Sequence, residues 1–117
     1  MKQKYWSLHL CEAMIERKPQ GGAGMQFMIK AYDGPNKLDK RMEVRPRHLE
    51  GMNKLGDHII CAGGLLDEEG KMKGSVLILE FPDRAALDAY LANEPYVLEH
   101  VWDKIEVETM NVVIVKG

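Results

Sequence analysis

The sequence predicts a single small α+β domain whose elements run β-α-β-β-α-β. Three observations carry that expectation. Apolar residues recur every second position near residues 26–32, 75–81 and 102–115, and every third or fourth position over residues 45–56 and 84–92. The apolar stretches "HIICAGGLL" and "GSVLILEF" are joined only by the polar loop "DEEGKMK", which reads as a hairpin. Arranged in that order, the elements form the split βαβ unit of a ferredoxin-like sandwich.

Composition narrows the classes. The chain has 117 residues, 45% hydrophobic and 29% charged, enough to bury a core without staples. A formal net charge of -2, with both signs scattered, gives no basic stripe for a phosphate backbone, so nucleic acid is not an expected partner. No apolar run approaches the ~20 residues of a bilayer span. The start, "MKQKYWSLHL", has no continuous apolar segment of the signal-peptide kind. Cys11 and Cys61 do not make a disulfide framework. The expectation is a reduced, cytoplasmic, single-domain protein.

The segment "KPQGGAGM" divides the chain: residues 1–24 read as an N-terminal extension with a flexible linker, and residues 25–117 as the folded unit. "QFMIKAYDGPN" is the first strand, with Phe27, Ile29 and Ala31 on one face and Met28 and Tyr32 on the other. Asp33-Gly34-Pro35-Asn36 turns it. Pro46 lacks an N–H and suits a first turn, so a short turn is expected over residues 38–42 and the main helix from Arg45. Leu49, Met52 and Leu55 are its apolar stripe, while Arg47, Glu50, Lys54 and Asp57 face water.

"HIICAGGLL" is expected to be a buried strand, with a bulge or close backbone approach at Gly63-Gly64. Its partner is apolar on both faces: Leu77, Leu79 and Phe81 on one, Val76 and Ile78 on the other. A sheet covered by helices on one side then needs a second cover, and another copy of the chain would supply it. Asp83 is placed to cap the helix "RAALDAYLA", and "NEPY" ends it. "WDKIEVETMNVVIVKG" reads as a long last strand, Ile105 and Val107 alternating with Glu106 and Glu108.

Candidate chemistry gathers at one helix end. Positions 45, 48, 49 and 52 lie at i, i+3, i+4 and i+7, so Arg45 and His48 adjoin the Leu49/Met52 stripe and point toward the sheet. A histidine so placed is either a satisfied structural residue or a proton-transfer group. Asp33 shares the parity of Phe27, Ile29 and Ala31, which brings it to the same face. It could accept an imidazole N–H and fix the tautomer, or serve only its own turn. His9 and Cys11 have no second pair at ligand spacing, so no metal site is expected. Cys61 reads as inert core, the methionines as packing, and Glu68 and Glu69 as a solvated loop.

Asp33 at a strand end, "RPRHL", "AGGLLDEEGKMKGSVLILEF" and "NEPYV", in that order, resemble the YCII (YciI-like) family over residues 25–115. The resemblance implies a dimeric α/β barrel, two ferredoxin-like sheets packed face to face. It also implies a His-Asp site, with His48 and Asp33 catalytic and Arg45, Ser75, Tyr96 and Glu94 binding substrate. Glu94 departs from the family's usual aspartate, a carboxylate one methylene longer. The family's best defined activity is dehydrochlorination of a chlorinated hydroxyhydroquinone. The implied function is therefore a cofactor-independent, metal-free enzyme acting on a small phenolic or quinone substrate. The alternatives are an isomerase on a related lactone or quinone, and a non-catalytic binding module.

Overall fold

The structure, a computed structural model, describes residues 24–116. The expected extension, with its His9 and Cys11, therefore lies outside the described residues apart from Gly24. The elements are β1 (Met25–Asp33), α1 (Leu38–Leu55), a 3-10 turn (Gly56–His58), β2 (Ile59–Leu66), β3 (Met72–Phe81), α2 (Arg84–Ala92), α3 (Pro95–Leu98) and β4 (Trp102–Met110). They form one four-stranded sheet in the order β2-β3-β1-β4, with every neighbouring pair antiparallel. This is the ferredoxin-like α+β fold that the pattern predicted.

Strand periodicity decides what faces the helices. Phe27, Ile29 and Ala31 of β1 and Leu77, Leu79 and Phe81 of β3 are buried beneath them, joined by Val44 and Met52 of α1, Leu87 of α2, and Tyr96, Val101 and Trp102. Each fully buried aliphatic side chain here stabilises the fold by roughly 1.5–3 kcal/mol. On the opposite face Met28, Val76 and Ile78 are only half-buried. Asp83 caps α2 as expected, its Oδ1 accepting from the Ala86 N–H at 2.9 Å.

Five local expectations are corrected. The helix does not wait for Arg45: α1 is continuous from Leu38 to Leu55 with Pro46 inside it. Proline removes one backbone bond, to the carbonyl of Met42, and both residues lie on the solvent side, where water can take that carbonyl's place. The buried stripe is consequently Arg41, Val44, His48 and Met52; of the expected stripe Met52 is buried and Leu55 packs against the core, but Leu49 is 42% exposed. β2 is an edge strand rather than a buried one, with Ala62, Gly63 and Gly64 exposed.

The register of β2 is regular through both of those glycines and shifts instead between Ile59 and Cys61 and between Leu65 and Leu66. The glycine that a close approach does require is Gly74, where a Cβ would sit 2.4 Å from the Ala31 carbonyl oxygen. The last strand stops at Met110 instead of running on to the C-terminus.

Candidate active site

Because α1 begins a full two turns before Arg45, three cationic or titratable side chains line its sheet-facing side at intervals of four and three: Arg41, Arg45 and His48. Between this face and strands β2 and β3 lies a cavity of about 250 Å³. Arg45, His48, Ser75 and Tyr96 line it, with Leu49, Met52, Ile59 and Leu77 as apolar wall. The absence of side chains at Gly63 and Gly64 opens its β2 edge.

His48 is buried and held from one side. Its Nδ1 lies 2.7 Å from Glu94 Oε1. Glu94 itself is 1% exposed and caps α3, the same Oε1 accepting from the Tyr96 N–H at 3.1 Å. The other oxygen, Oε2, accepts the hydroxyl of Tyr90. A buried carboxylate so paired acts as acceptor to Nδ1–H, which leaves Nε2 as the basic nitrogen of the neutral ring. Nε2 has no hydrogen-bond partner among the described residues. The imidazole stacks on the Tyr96 ring, 4.2 Å between centroids and 18° between planes, with Trp102 edge-on at 6.1 Å.

Asp33 occupies a different pair. Its Oδ1 accepts from Arg41 at 2.8 Å, and the second terminal nitrogen of Arg41 donates to Ser75 Oγ, also at 2.8 Å. The guanidinium lies 4.7 Å from the centre of the Tyr96 ring. Burial pushes the Asp33 carboxyl up from its ordinary range, and the Arg41 charge opposes that rise. Burial likewise raises the Tyr96 hydroxyl, opposed by Arg41 and Arg45.

The structure thus brings Arg45, His48, Ser75 and Tyr96 to one cavity, and places the two carboxylates otherwise than the resemblance implied. Glu94, expected at the substrate, is the histidine's partner and does not line the cavity. Asp33, expected to orient the imidazole, is held by Arg41, because the helix turn opposite the end of β1 carries Arg41 and not His48. Two residues of the site escaped the sequence reading. Arg41 sits seven positions before His48, a helical spacing hidden by starting the main helix at Arg45. Tyr90 sits four before Glu94, a spacing that runs past the Asn93 cap of α2 to the residue that caps α3.

Arg45 has no ion pair or side-chain hydrogen bond among the described residues and lines the cavity mouth as an uncommitted guanidinium. Among those residues no group of three or more His, Cys, Asp or Glu side chains is placed to hold a metal ion. None of the described helices is long and apolar enough to cross a membrane.

Comparison with known proteins places this geometry in a family. The family model described as the YCII-related domain matches residues 25–111. Protein YciI of Escherichia coli O6:H1 is 30% identical over 92 residues, 72% of this chain and 94% of that protein. Aspercryptin biosynthesis cluster protein B of Emericella nidulans is 28% identical over 90 residues; that match takes in 69% of this chain but only 58% of the longer fungal protein. Among solved structures, the 5-chloro-2-hydroxyhydroquinone dehydrochlorinase of Burkholderia phenoliruptrix AC1100, in complex with 2,5-dihydroxybenzoquinone, superposes with a TM-score of 0.70. The two are 25% identical, over 74% of this chain and 94% of that one. Fold, motif order and matched span agree, and the chain belongs to the YCII-related domain family.

Proposed function

We propose that the protein is a small lyase that eliminates HCl from a chlorinated hydroxyhydroquinone, with His48 as its proton-transfer group. The observation that carries this reading is a histidine anchored through Nδ1 by a buried carboxylate while its Nε2 is left to a cavity that also holds an unpaired guanidinium. A cavity of roughly 150 Å³ holds benzene, so this one has room for one ring with polar substituents. The similarity to a dehydrochlorinase solved with a quinone supports the same substrate class.

Direct loss of chloride from an aromatic carbon is difficult because the C–Cl bond lies in the ring plane. Nε2 of neutral His48 takes a phenolic proton and returns it to the chlorine-bearing carbon, giving a keto tautomer with a tetrahedral C–Cl. Removal of a second phenolic proton then expels chloride and leaves a hydroxyquinone. One H⁺ and one Cl⁻ leave in all, so the reaction balances without an oxidant or reductant. A positioned acid–base of this kind is worth roughly 10²–10⁴-fold in rate.

Arg45 stabilises the developing phenolate electrostatically. Ser75, accepting from Arg41, has its own O–H left to give to a second substrate oxygen. Asp33 fixes Arg41, which in turn holds Ser75 and backs the Tyr96 ring on which His48 stacks. The half-buried face carrying Met28, Val76 and Ile78 packs against a second copy, making a homodimer.

The test is chloride release by the purified protein from 5-chloro-2-hydroxyhydroquinone, with no added cofactor. Catalysed release at a rate that scales with protein supports the reading. A rate no greater than that without protein overturns it, and a monomer by light scattering removes the dimer.

A further inference from the structure

We propose that Tyr90 is a positioning residue that sets the proton affinity of His48 through Glu94. The inference rests on the reading of His48 as a proton-transfer group, but its test does not use the reaction.

Glu94 distributes its two oxygens unequally. Oε1 faces His48 Nδ1 at 2.7 Å and the Tyr96 N–H at 3.1 Å. Oε2 has a single partner among the described residues, the Tyr90 hydroxyl. Tyr90 stands four residues before Glu94, across the end of α2. It is held there by packing on Phe81, 6.3 Å between ring centroids, and by its hydroxyl lying 3.5 Å from Met52 Sδ. It does not line the cavity; its hydroxyl meets the Glu94 carboxylate and Met52 Sδ, and of these the carboxylate is the one hydrogen-bonded to His48.

A donor on Oε2 draws negative charge toward itself and away from Oε1, which weakens the attraction of Glu94 for an imidazolium at His48. It also stops the carboxylate from rotating away from Nδ1. Burial first, and the Glu94 charge second, push the Tyr90 hydroxyl far above its ordinary range, so it remains a donor wherever His48 titrates. The sign follows. With Tyr90 present the imidazole is less basic than Glu94 alone would make it, which favours the neutral form that a general base requires. Without it, Glu94 pulls harder on the proton and the histidine's titration moves up.

The other groups facing His48 are Arg41 and Arg45 on its own helix, Tyr96 on α3, and Asp33 on β1 behind Arg41. Losing the Tyr90 hydroxyl removes none of them; it also gives up the contact with Met52 Sδ, which a Glu94→Gln background separates from the Tyr90–Glu94 contact.

The experiment is an NMR titration of the imidazole carbons of the full chain, wild type against Tyr90→Phe, with the His48 signal assigned by its loss in His48→Gln. The expected result is a His48 midpoint raised by about half a unit or more, roughly threefold in proton affinity, with His58 and His100 unmoved. Tyr90→Met, which keeps apolar bulk beside Phe81 without the hydroxyl, reproduces the shift. In a Glu94→Gln background, Tyr90→Phe produces none. An unchanged midpoint in either folded variant, or a shift that survives in Glu94→Gln, overturns the proposal. So does a failure of both variants to fold, since Tyr90 would then serve the fold and not the histidine. Chloride release enters nowhere, so a failed titration leaves the proposed reaction standing and a missing reaction leaves the titration readable.

Discussion

Asp33 and Glu94 both present a carboxylate to the same side of α1, and both are nearly excluded from water, their side chains 6% and 1% exposed. Their partners differ in kind. Arg41 keeps its charge at any pH the fold survives, so Asp33–Arg41 is a fixed pair whose guanidinium fork also reaches Ser75. An imidazole can gain and lose a proton where a guanidinium cannot, so Glu94–His48 is a pair that can change state. One pair builds the wall beside the cavity; the other turns a titrating nitrogen toward it. The residue types alone separate a pair of fixed charge from one whose charge can change, even where both carboxylates are buried.

That contrast can be broken at several points. Replacing the titrating member, His48→Gln, is expected to lower chloride release by roughly 10²–10⁴-fold, or about 3–5.5 kcal/mol of transition-state stabilisation. Its thermal unfolding should stay close to wild type. Retained turnover in the folded variant would remove His48 from the chemistry.

Replacing the fixed member, Arg41→Leu, leaves the Asp33 carboxylate buried without its cation and is expected to cost about 3–5 kcal/mol of stability. Denaturant unfolding reads that directly. The double change Asp33→Leu with Arg41→Leu should recover much of the loss, because no unpaired charge then remains. A double variant as unstable as the single would mean that packing, and not the charge, set the cost.

A surface pair gives the smallest effect and a control. Lys40 first, then Arg47, hold the Glu99 carboxyl below its ordinary range, tying the end of α3 to α1. A depressed carboxylate stabilises the fold above its unfolded value of about 4.5, and that stabilisation is lost as pH falls through the folded value. Glu99→Gln should therefore lower the melting temperature slightly at pH 7, and the difference should shrink as the pH falls below about 4.5. A difference that does not shrink would show that charge is not its source.

How much of this was legible in the sequence follows the range of each interaction. Strand alternation and the Asp83 cap are local, and the element order and α2 start came through intact. The family motifs located the cavity residues Arg45, His48, Ser75 and Tyr96. Pro46 misled because its penalty depends on which side of the helix it occupies, and here the lost bond faces solvent.

The exchange of carboxylates has the same root. Parity aimed Asp33 at the helix layer but could not say which turn of α1 would lie opposite it. That is settled by how the whole helix docks, and docking from Leu38 presents Arg41. β4 ends at Met110 because its partner runs out: Met110 already pairs with Gln26, and β1 begins at Met25, a limit that alternation within residues 102–117 does not carry.

The central claim is that the working carboxylate is Glu94 and not Asp33. The direct measurement is the pH profile of chloride release from 5-chloro-2-hydroxyhydroquinone for wild type, Glu94→Gln and Asp33→Asn. Glu94→Gln removes the charge that favours the imidazolium, so the ionisation governing the acid limb should move to lower pH while the plateau rate falls. Asp33→Asn should leave that limb where it is in wild type. A limb that moves with Asp33→Asn and stays put with Glu94→Gln would contradict the account.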